Sequence, residues 1–199
     1  MKENYELKSM ARESLNNLWV PAVVVTLIYA FCVGIFGSYS RFGFIISLII
    51  SGPFELGYVL FVLSVKRNHE GRIEQIFDGF RDFGRSFQAY LLMIIFVVLW
   101  SLLLIVPGII AALSYSMTFF ILADDKSVPP RGALDRSKEM MYGNKAKLFY
   151  LYLSFIGWFF LSILTAGIGF FWLIPYVRVS VAHFYDDLKN NQQMENSYA

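Results

Sequence analysis

The sequence has few of the residues from which metal and redox centres are built. Its 199 residues include one cysteine and two histidines, and only 16% of its residues are charged. The single Cys32 lies in an apolar run, so neither an intramolecular disulfide nor a cysteine-rich metal site can form. His69 and His183 are far apart and lack the paired spacing of a zinc-binding helix. We therefore expect no metal and no cofactor.

Sequence motifs of catalysis are also missing. There is no glycine-rich phosphate loop, no H-E-x-x-H helix and no G-x-S-x-G elbow. The acidic pairs Asp124-Asp125 and Asp186-Asp187 each follow an apolar segment, where solvated carboxylates are expected. The formal net charge is +2, and the basic residues form no tract interleaved with aromatics, which excludes a nucleic-acid partner. We predict that the protein is not an enzyme.

Hydrophobic residues, in contrast, are abundant. They make up 57% of the chain, and aromatic residues alone make up 18%. This leaves too few polar residues to cover a soluble domain of this size. The first apolar run begins only near Leu18, behind a charged segment, which does not fit a cleaved signal peptide. The composition predicts an all-α, polytopic membrane protein that forms a single domain over residues 1–199.

Each of the three long apolar stretches predicts two membrane spans. The stretch 87–123 would be roughly 55 Å long as one helix, against a hydrocarbon core of about 30 Å. Turn residues break the stretches at Gly37–Arg41, Val106-Pro107-Gly108 and Gly167-Ile168-Gly169. About six spans result, arranged as three parallel helical hairpins: Trp19–Phe36, Phe42–Val65, Phe87–Val106, Pro107–Ala123, Leu148–Ala166 and Phe170–Tyr185.

The distribution of basic residues orients these spans. Every lysine and arginine except Arg41 and Arg178 falls on one side of the predicted topology. By the positive-inside rule that side is the cytoplasm. We expect both termini in the cytoplasm.

A polar segment with helical periodicity precedes each hairpin and predicts an amphipathic helix at the membrane interface. Each segment carries apolar or small residues on one face. The faces are Leu7, Met10, Ala11, Leu15 and Leu18; then Ile73, Ile76, Phe77, Phe80, Phe83 and Phe87; then Ala133, Leu134, Ser137, Met140 and Met141.

The second span of each hairpin carries one proline, Pro53, Pro107 or Pro175, which we expect to kink it. Together with the preceding helices, this pattern predicts internal repeats over residues 4–66, 72–125 and 129–188. Ala11-Arg12-Glu13 and Ser137-Lys138-Glu139 hold the same place before their hairpins. Asn17 matches Gly143, although a glycine is expected in the first copy. The alternative is that any protein of short-looped hairpins looks repetitive.

Several motifs resemble those of the bacterial integral membrane proteins of domain-of-unknown-function family 975. They are Leu7 to Leu15, Val106 to Ala111 with Tyr115-Ser116-Met117, Ser137 to Met141 with Gly143-Asn144-Lys145, Leu153 to Trp158, Pro175-Tyr176, and Phe184 to Leu188. The resemblance covers nearly the whole chain. It implies a bacterial cell membrane location and no particular activity.

Two charges within the predicted spans are candidate functional residues. A charged side chain at the centre of a span costs about 2.5–3.5 kcal/mol on insertion scales, so Glu55 and Arg178 call for partners. We predict that they pair with each other. The alternatives are a protonated Glu55 and an Arg178 that extends to the cytoplasmic surface.

Arg81 and Arg85, on the second amphipathic segment, are candidate contacts for anionic lipid headgroups. The alternative is that these arginines only set the topology. Trp158, Trp172, Tyr115 and Tyr176 are candidate interfacial anchors, and for those near the outer edge this interpretation is favoured over an aromatic cage around a substrate.

Two functions fit this pattern. The first is a non-enzymatic, transport-like bundle that handles a lipid or another amphipathic molecule. The alternative is an accessory, immunity or scaffold subunit that packs against another membrane protein. Membrane lipids are the expected partners in both. An intramembrane enzyme would need convergent acids, bases or metal ligands that are missing.

Overall fold

The computed structural model of the chain is built from helices. It describes residues 2–39 and 41–198, leaving aside the side chains of 35–39, 41–42 and 195–198. Every regular element of these residues is helical, which confirms the all-α class. The helices are α1 (Asn4–Ser14), α2 (Trp19–Tyr39), α3 (Arg41–Asn68), α4 (Gln75–Asp78), a 3₁₀ turn (Gly79–Asp82), α5 (Phe83–Leu103), α6 (Ile105–Ser114), α7 (Thr118–Asp124), α8 (Pro130–Met140), α9 (Lys145–Leu153), α10 (Ile156–Leu164) and α11 (Phe170–Tyr198).

Four to five stretches of the described residues are long and apolar enough to cross a membrane. Four qualify directly: Gly43–Asn68, Gln75–Leu103, Ile105–Asp124 and Lys145–Leu164. The fifth combines α1 with Trp19–Gly34, two helices that meet at 99°. Helix α11 is not among them, because Arg178 and the pair Asp186-Asp187 interrupt its apolar part. The six spans and their hairpin arrangement therefore stay predictions.

The helix breaks lie close to the predicted turns. Between α5 and α6 the chain turns at Leu104, which is extended with φ −162° and ψ 151°. Pro107 is then the third residue of α6, where its missing N–H costs no hydrogen bond. Between α10 and α11 the turn uses positive φ angles at Ala166 (53°) and Gly167 (87°). The predicted break at 37–41 includes Ser40, which lies outside the described residues.

The chain divides into two compact units. The first unit comprises Met1–Leu27, Phe61–Ile73 and Ala146–Ala199. In it, α1 packs along α11 and buries Leu7, Ala11 and Leu15 completely. The backbone N–H of Lys2 donates to the Asp187 carboxylate at 2.8 Å.

The second unit comprises Ile28–Leu60 and Glu74–Lys145. In it, backbones approach each other closely at glycines. A Cβ on Gly52 would lie 2.5 Å from the carbonyl oxygen of Ser86, and one on Gly79 would overlap the carbonyl oxygen of Pro53. These contacts hold the segment from α4 to the start of α5 against α3.

The amphipathic segments form as predicted in two of three cases. In the first segment Leu7, Ala11 and Leu15 are buried and Met10 and Leu18 are partly buried, whereas all five residues of the third face are buried. The second segment differs, because α4 and the 3₁₀ turn replace a single helix. Ile76 is buried there, but Phe77 and Phe83 are exposed. Gly79 packs against the backbone of α3, and the rings of Phe77 and Phe80 contact Phe54 of that helix.

The turns after α1 and α8 have the same conformation, residue by residue. In both turns, three backbone N–H groups donate to carbonyls three or four residues earlier, at 2.9 to 3.1 Å. In the first turn the bonds run from Leu15 to Ala11, from Asn16 to Glu13 and from Leu18 to Leu15. In the second they run from Met141 to Ser137, from Tyr142 to Glu139 and from Asn144 to Met141. Asn17 and Gly143 both have positive φ, at 65° and 77°. Asparagine tolerates this region, so the absent glycine does not change the turn. The internal repeats themselves stay a prediction.

Candidate functional site

The first unit contains an apolar cavity of about 350 Å³ that we call the tryptophan cavity. Three of the four tryptophans of the protein line it. The lining consists of Arg12, Trp19, Trp158, Leu161, Ser162, Thr165, Gly169, Trp172, Leu173 and Tyr176. The interpretation of aromatic residues near the outer edge as interfacial anchors is not tested by this arrangement and stays a prediction.

Two local features bring these side chains together. Helix α10 packs on α11 after the tight turn between them, and a Cβ on Gly169 would come within 2.8 Å of the Ser162 Cα. This close approach lets Trp158 and Trp172 line one cavity. At the other end, the 99° bend between α1 and α2 brings Arg12 and Trp19 to the same cavity.

Tyr176 organises the end of the tryptophan cavity at which Arg12 lies. Its ring makes an edge contact with Trp19, at 6.3 Å between centroids, and with Phe155, at 5.1 Å. The Arg12 guanidinium lies over the same ring, 5.9 Å from its centroid, in a cation–π contact. The Tyr176 hydroxyl donates to the carbonyl of Lys8 at 3.2 Å, which ties α11 to α1.

Among the side chains that the structure describes, Arg12 is the one charged group in the lining of the tryptophan cavity. The three hydroxyls of the lining already donate to backbone carbonyls: Ser162 to Trp158 O at 2.8 Å, Thr165 to Ser162 O at 2.9 Å and Tyr176 to Lys8 O at 3.2 Å. The cavity therefore offers apolar and aromatic walls together with one positive charge. The sequence analysis missed Arg12 and Trp19, which come from helices far from α10 and α11 along the chain.

Glu55 and Arg178 lie in different units, and both are partly buried. Glu55 accepts a hydrogen bond from the Tyr29 hydroxyl at 2.9 Å, and the ring of Tyr29 makes an edge contact with Tyr58. A tyrosine donor stabilises a carboxylate within an apolar helix. The pairing of Glu55 with Arg178 stays a prediction.

The two prolines in the longest helices do not end them. Helix α3 continues through Pro53 and α11 through Pro175. Each proline removes one N–H from its helix and thereby leaves one carbonyl without its helical partner. The kinks themselves stay predictions.

Arg81 and Arg85 have different surroundings. The Arg81 side chain is 86% exposed and pairs with Asp78 at 3.2 Å. Arg85 is mostly buried, bonds to the Asp82 carboxylate, and donates to the carbonyls of Asp125 at 2.9 Å and Val128 at 2.8 Å. Arg85 thus closes the connection between α7 and α8, and its donors are engaged inside the protein. Arg81 is the better candidate for a lipid headgroup.

The acidic pair at 186–187 is not fully solvated as expected. Asp186 is buried and accepts hydrogen bonds from Lys66 and from Arg67, whose Nη2 lies 2.5 Å from Oδ1. Burial disfavours its charged form, but the hydrogen bonds and charges of Arg67 and Lys66 outweigh this, so the pKa of Asp186 lies below its usual value. More than a hundred residues separate these partners, and no local pattern could have revealed them.

Comparison with known proteins identifies a family but no characterised relative. A family model described as "Protein of unknown function (DUF975)" matches residues 1–114 and 102–192. No curated protein and no solved structure matches the chain. Within residues 2–39 and 41–198, no group of three or more His, Cys, Asp or Glu side chains could hold a metal ion.

Proposed function

The chain belongs to the DUF975 family of proteins of unknown function, and we propose that it is a multi-pass membrane protein that binds an anionic amphipathic molecule. The proposal places it in the bacterial cell membrane with six spans and both termini in the cytoplasm. The amphipathic molecule binds in the tryptophan cavity.

The observation that carries the membrane location is that long apolar helices are not covered by protein. In the most apolar 18-residue segment of Gln75–Leu103, only 11% is buried inside the protein, and in the corresponding segment of Lys145–Leu164 only 22% is buried. Leu102, Ile105 and Leu164 are each 78 to 82% exposed. The free energy of such a side chain is higher in water than in a buried position by about 1.5–3 kcal/mol. Apolar surface on this scale is typical of a face that contacts lipid.

The short turn between α10 and α11 supports the sixth span. Helix α10 is apolar and exposed, and α11 packs back on it within one unit. The apolar part of α11, from Phe170 to Tyr185, precedes the acidic pair at the proposed cytoplasmic border. The location of nearly all basic residues on one side supports the same orientation.

The walls of the tryptophan cavity favour an amphipathic ligand. A volume of about 350 Å³ lies at the lower end of the range for small-molecule sites, about 300–1,000 Å³. Its apolar walls suit an acyl chain, and Arg12 suits the negative charge at the end of that chain. Arg12 lies on α1, which we propose lies in the membrane interface, where phosphates of lipids are found.

The tryptophan cavity favours the amphipath-handling role over the accessory role. An accessory subunit needs exposed apolar flanks for its partner, but it has no need of an aromatic cavity with a cation at one end. Glu55 and Arg178 do not line this cavity, so we do not assign them to ligand binding.

Fluorescence quenching by brominated lipids tests the binding role. Trp100, which is 48% exposed and outside the cavity, is first replaced by phenylalanine so that the remaining signal comes from the cavity. We expect phosphatidylglycerol with brominated chains to quench more strongly than phosphatidylcholine with the same chains. Arg12→Gln should lower the affinity for phosphatidylglycerol about fivefold, because one cation near a membrane surface contributes about 1 kcal/mol.

Lys138 offers a matched control, since it is exposed and holds in α8 the place that Arg12 holds in α1. Lys138→Gln should leave the quenching unchanged. Equal quenching by both lipids, with no effect of Arg12→Gln, would contradict the proposed ligand.

A further inference from the structure

A second apolar cavity, of about 360 Å³, adjoins the tryptophan cavity within the first unit. It lies between the segment from α9 to α10 and helix α11, and Phe155, Ile156 and Val177 are among the residues that line it. Leu173 lines both cavities. The two cavities are therefore neighbours on either side of this side chain.

The side chains of Leu173, Phe155 and Tyr176 form a ridge between the two cavities. Tyr176 lines the tryptophan cavity and Phe155 lines the second cavity. Their rings meet edge to face, with 5.1 Å between centroids and an interplanar angle of 88°. This packing, together with the nine-tenths buried Leu173, fixes the separation of the two cavities.

One cation lies over each ring of the ridge. The Lys8 ammonium is 4.6 Å from the centroid of Phe155, and the Arg12 guanidinium is 5.9 Å from that of Tyr176. Lys8 and Arg12 are four residues apart on α1, so they share a face of that helix. Lys8 also donates to the carbonyl of Ser154 at 3.1 Å, which holds the ammonium beside the ridge.

Within residues 2–39 and 41–198, neither Lys8 nor Arg12 forms an ion pair with a carboxylate. Burial and the neighbouring charge of Arg12 lower the pKa of Lys8 below its usual value. A bound anion between the two would relieve this repulsion.

We propose that the two cavities hold the two acyl chains of one diacyl phospholipid whose phosphate lies between Lys8 and Arg12. This inference rests on the proposed function and specifies its ligand. Each cavity, at about 350 Å³, has room for part of one chain, whereas a whole phospholipid needs both. The ridge of Leu173, Phe155 and Tyr176 separates the chains below the phosphate.

The test compares one-chain and two-chain lipids on the full-length protein. Binding of diacyl and monoacyl phosphatidylglycerol is measured by native mass spectrometry, for the wild type and for Val177→Phe, which fills the second cavity. We expect the wild type to bind the diacyl lipid at least tenfold more tightly than the monoacyl lipid. Val177→Phe should reduce diacyl binding to the monoacyl level.

Ile174→Phe is the matched control, because Ile174 lies on the same helix, is exposed and lines neither cavity, so this variant should retain the diacyl preference. Lys8→Gln should weaken the binding of both lipids severalfold, and inorganic phosphate at millimolar concentration should displace neither lipid. Equal affinity for the two lipids, with the binding of both weakened in Arg12→Gln, would overturn the two-chain inference and leave the proposed function intact. Displacement by phosphate alone would indicate a free-anion site and overturn the inference. Binding that is independent of Arg12 would contradict the proposed function itself.

Discussion

Gly57→Ala is expected to destabilise the protein by about 3 kcal/mol or more. An added Cβ would overlap the Ile76 carbonyl oxygen, and it would lie 2.6 Å from the Ile76 carbonyl carbon and 3.0 Å from the oxygen of Gln75. These are backbone atoms, which cannot rotate away as the end of a side chain can. Relief would require α4 to separate from α3. The loss should appear as a large drop in melting temperature of the detergent-solubilised protein, followed by circular dichroism.

Gly84→Ala provides the comparison for this substitution. Gly84 is also helical, but a Cβ added there would meet no heavy atom within 4 Å beyond its own helix and chain neighbours. Alanine is favoured over glycine in a helix by about 0.8–1 kcal/mol, so this variant should be as stable as the wild type or slightly more stable. If the two variants melted at the same temperature, α3 and α4 would not pack as closely as described.

Asp186→Asn is expected to cost about 3 kcal/mol, because it leaves two cations without their buried carboxylate. Lys66 and Arg67 both bond to Asp186, and Arg67 does so with Nε at 3.1 Å and Nη2 at 2.5 Å. We place the effect at the low end for buried pairs, since the Arg67 side chain is 35% exposed. Asp187→Asn is the matched control and should cost less, because Asp187 accepts from the backbone N–H of Lys2 at the exposed chain start. Equal losses in the two variants would contradict the assigned role of Asp186.

The same carboxylate predicts a pH dependence. Its pKa is lower in the folded protein than in the unfolded chain, where it is about 3.9. Its contribution to stability is therefore complete above about pH 5 and is lost as the pH falls through the folded-state pKa. The stability difference between the wild type and Asp186→Asn should be constant from pH 8 to about pH 5 and should shrink below about pH 4. A difference that grew on acidification would contradict this sign.

Periodicity and turn residues were sufficient to predict most of the helices. The apolar faces of α1 and α8 follow from spacing along one helix, and the turn at 165–169 follows from its glycines. The second amphipathic segment could not be predicted as well, because its shape depends on a close contact between Gly79 and the backbone at Pro53. That contact is between distant parts of the sequence and leaves no periodic pattern.

The candidate site was less predictable than the fold. The tryptophan cavity combines Arg12 and Trp19 with side chains of α10 and α11, which come from opposite ends of the chain. Each aromatic residue alone fits an interfacial anchor, and the cavity that they line together leaves no pattern in the sequence. The bonds of Asp186 to Lys66 and Arg67 were missed for the same reason.

Cysteine accessibility tests the six-span membrane arrangement most directly. With Cys32 replaced by alanine, single cysteines are placed at Lys126, Ile168 and Asn190, which are all exposed in the structure. We expect an impermeant thiol reagent applied to intact cells to label Ile168→Cys, at the turn between α10 and α11. Lys126→Cys and Asn190→Cys should react only after lysis. Labelling of Asn190→Cys in intact cells would mean that α11 does not cross the membrane, and labelling of Lys126→Cys would contradict the proposed orientation.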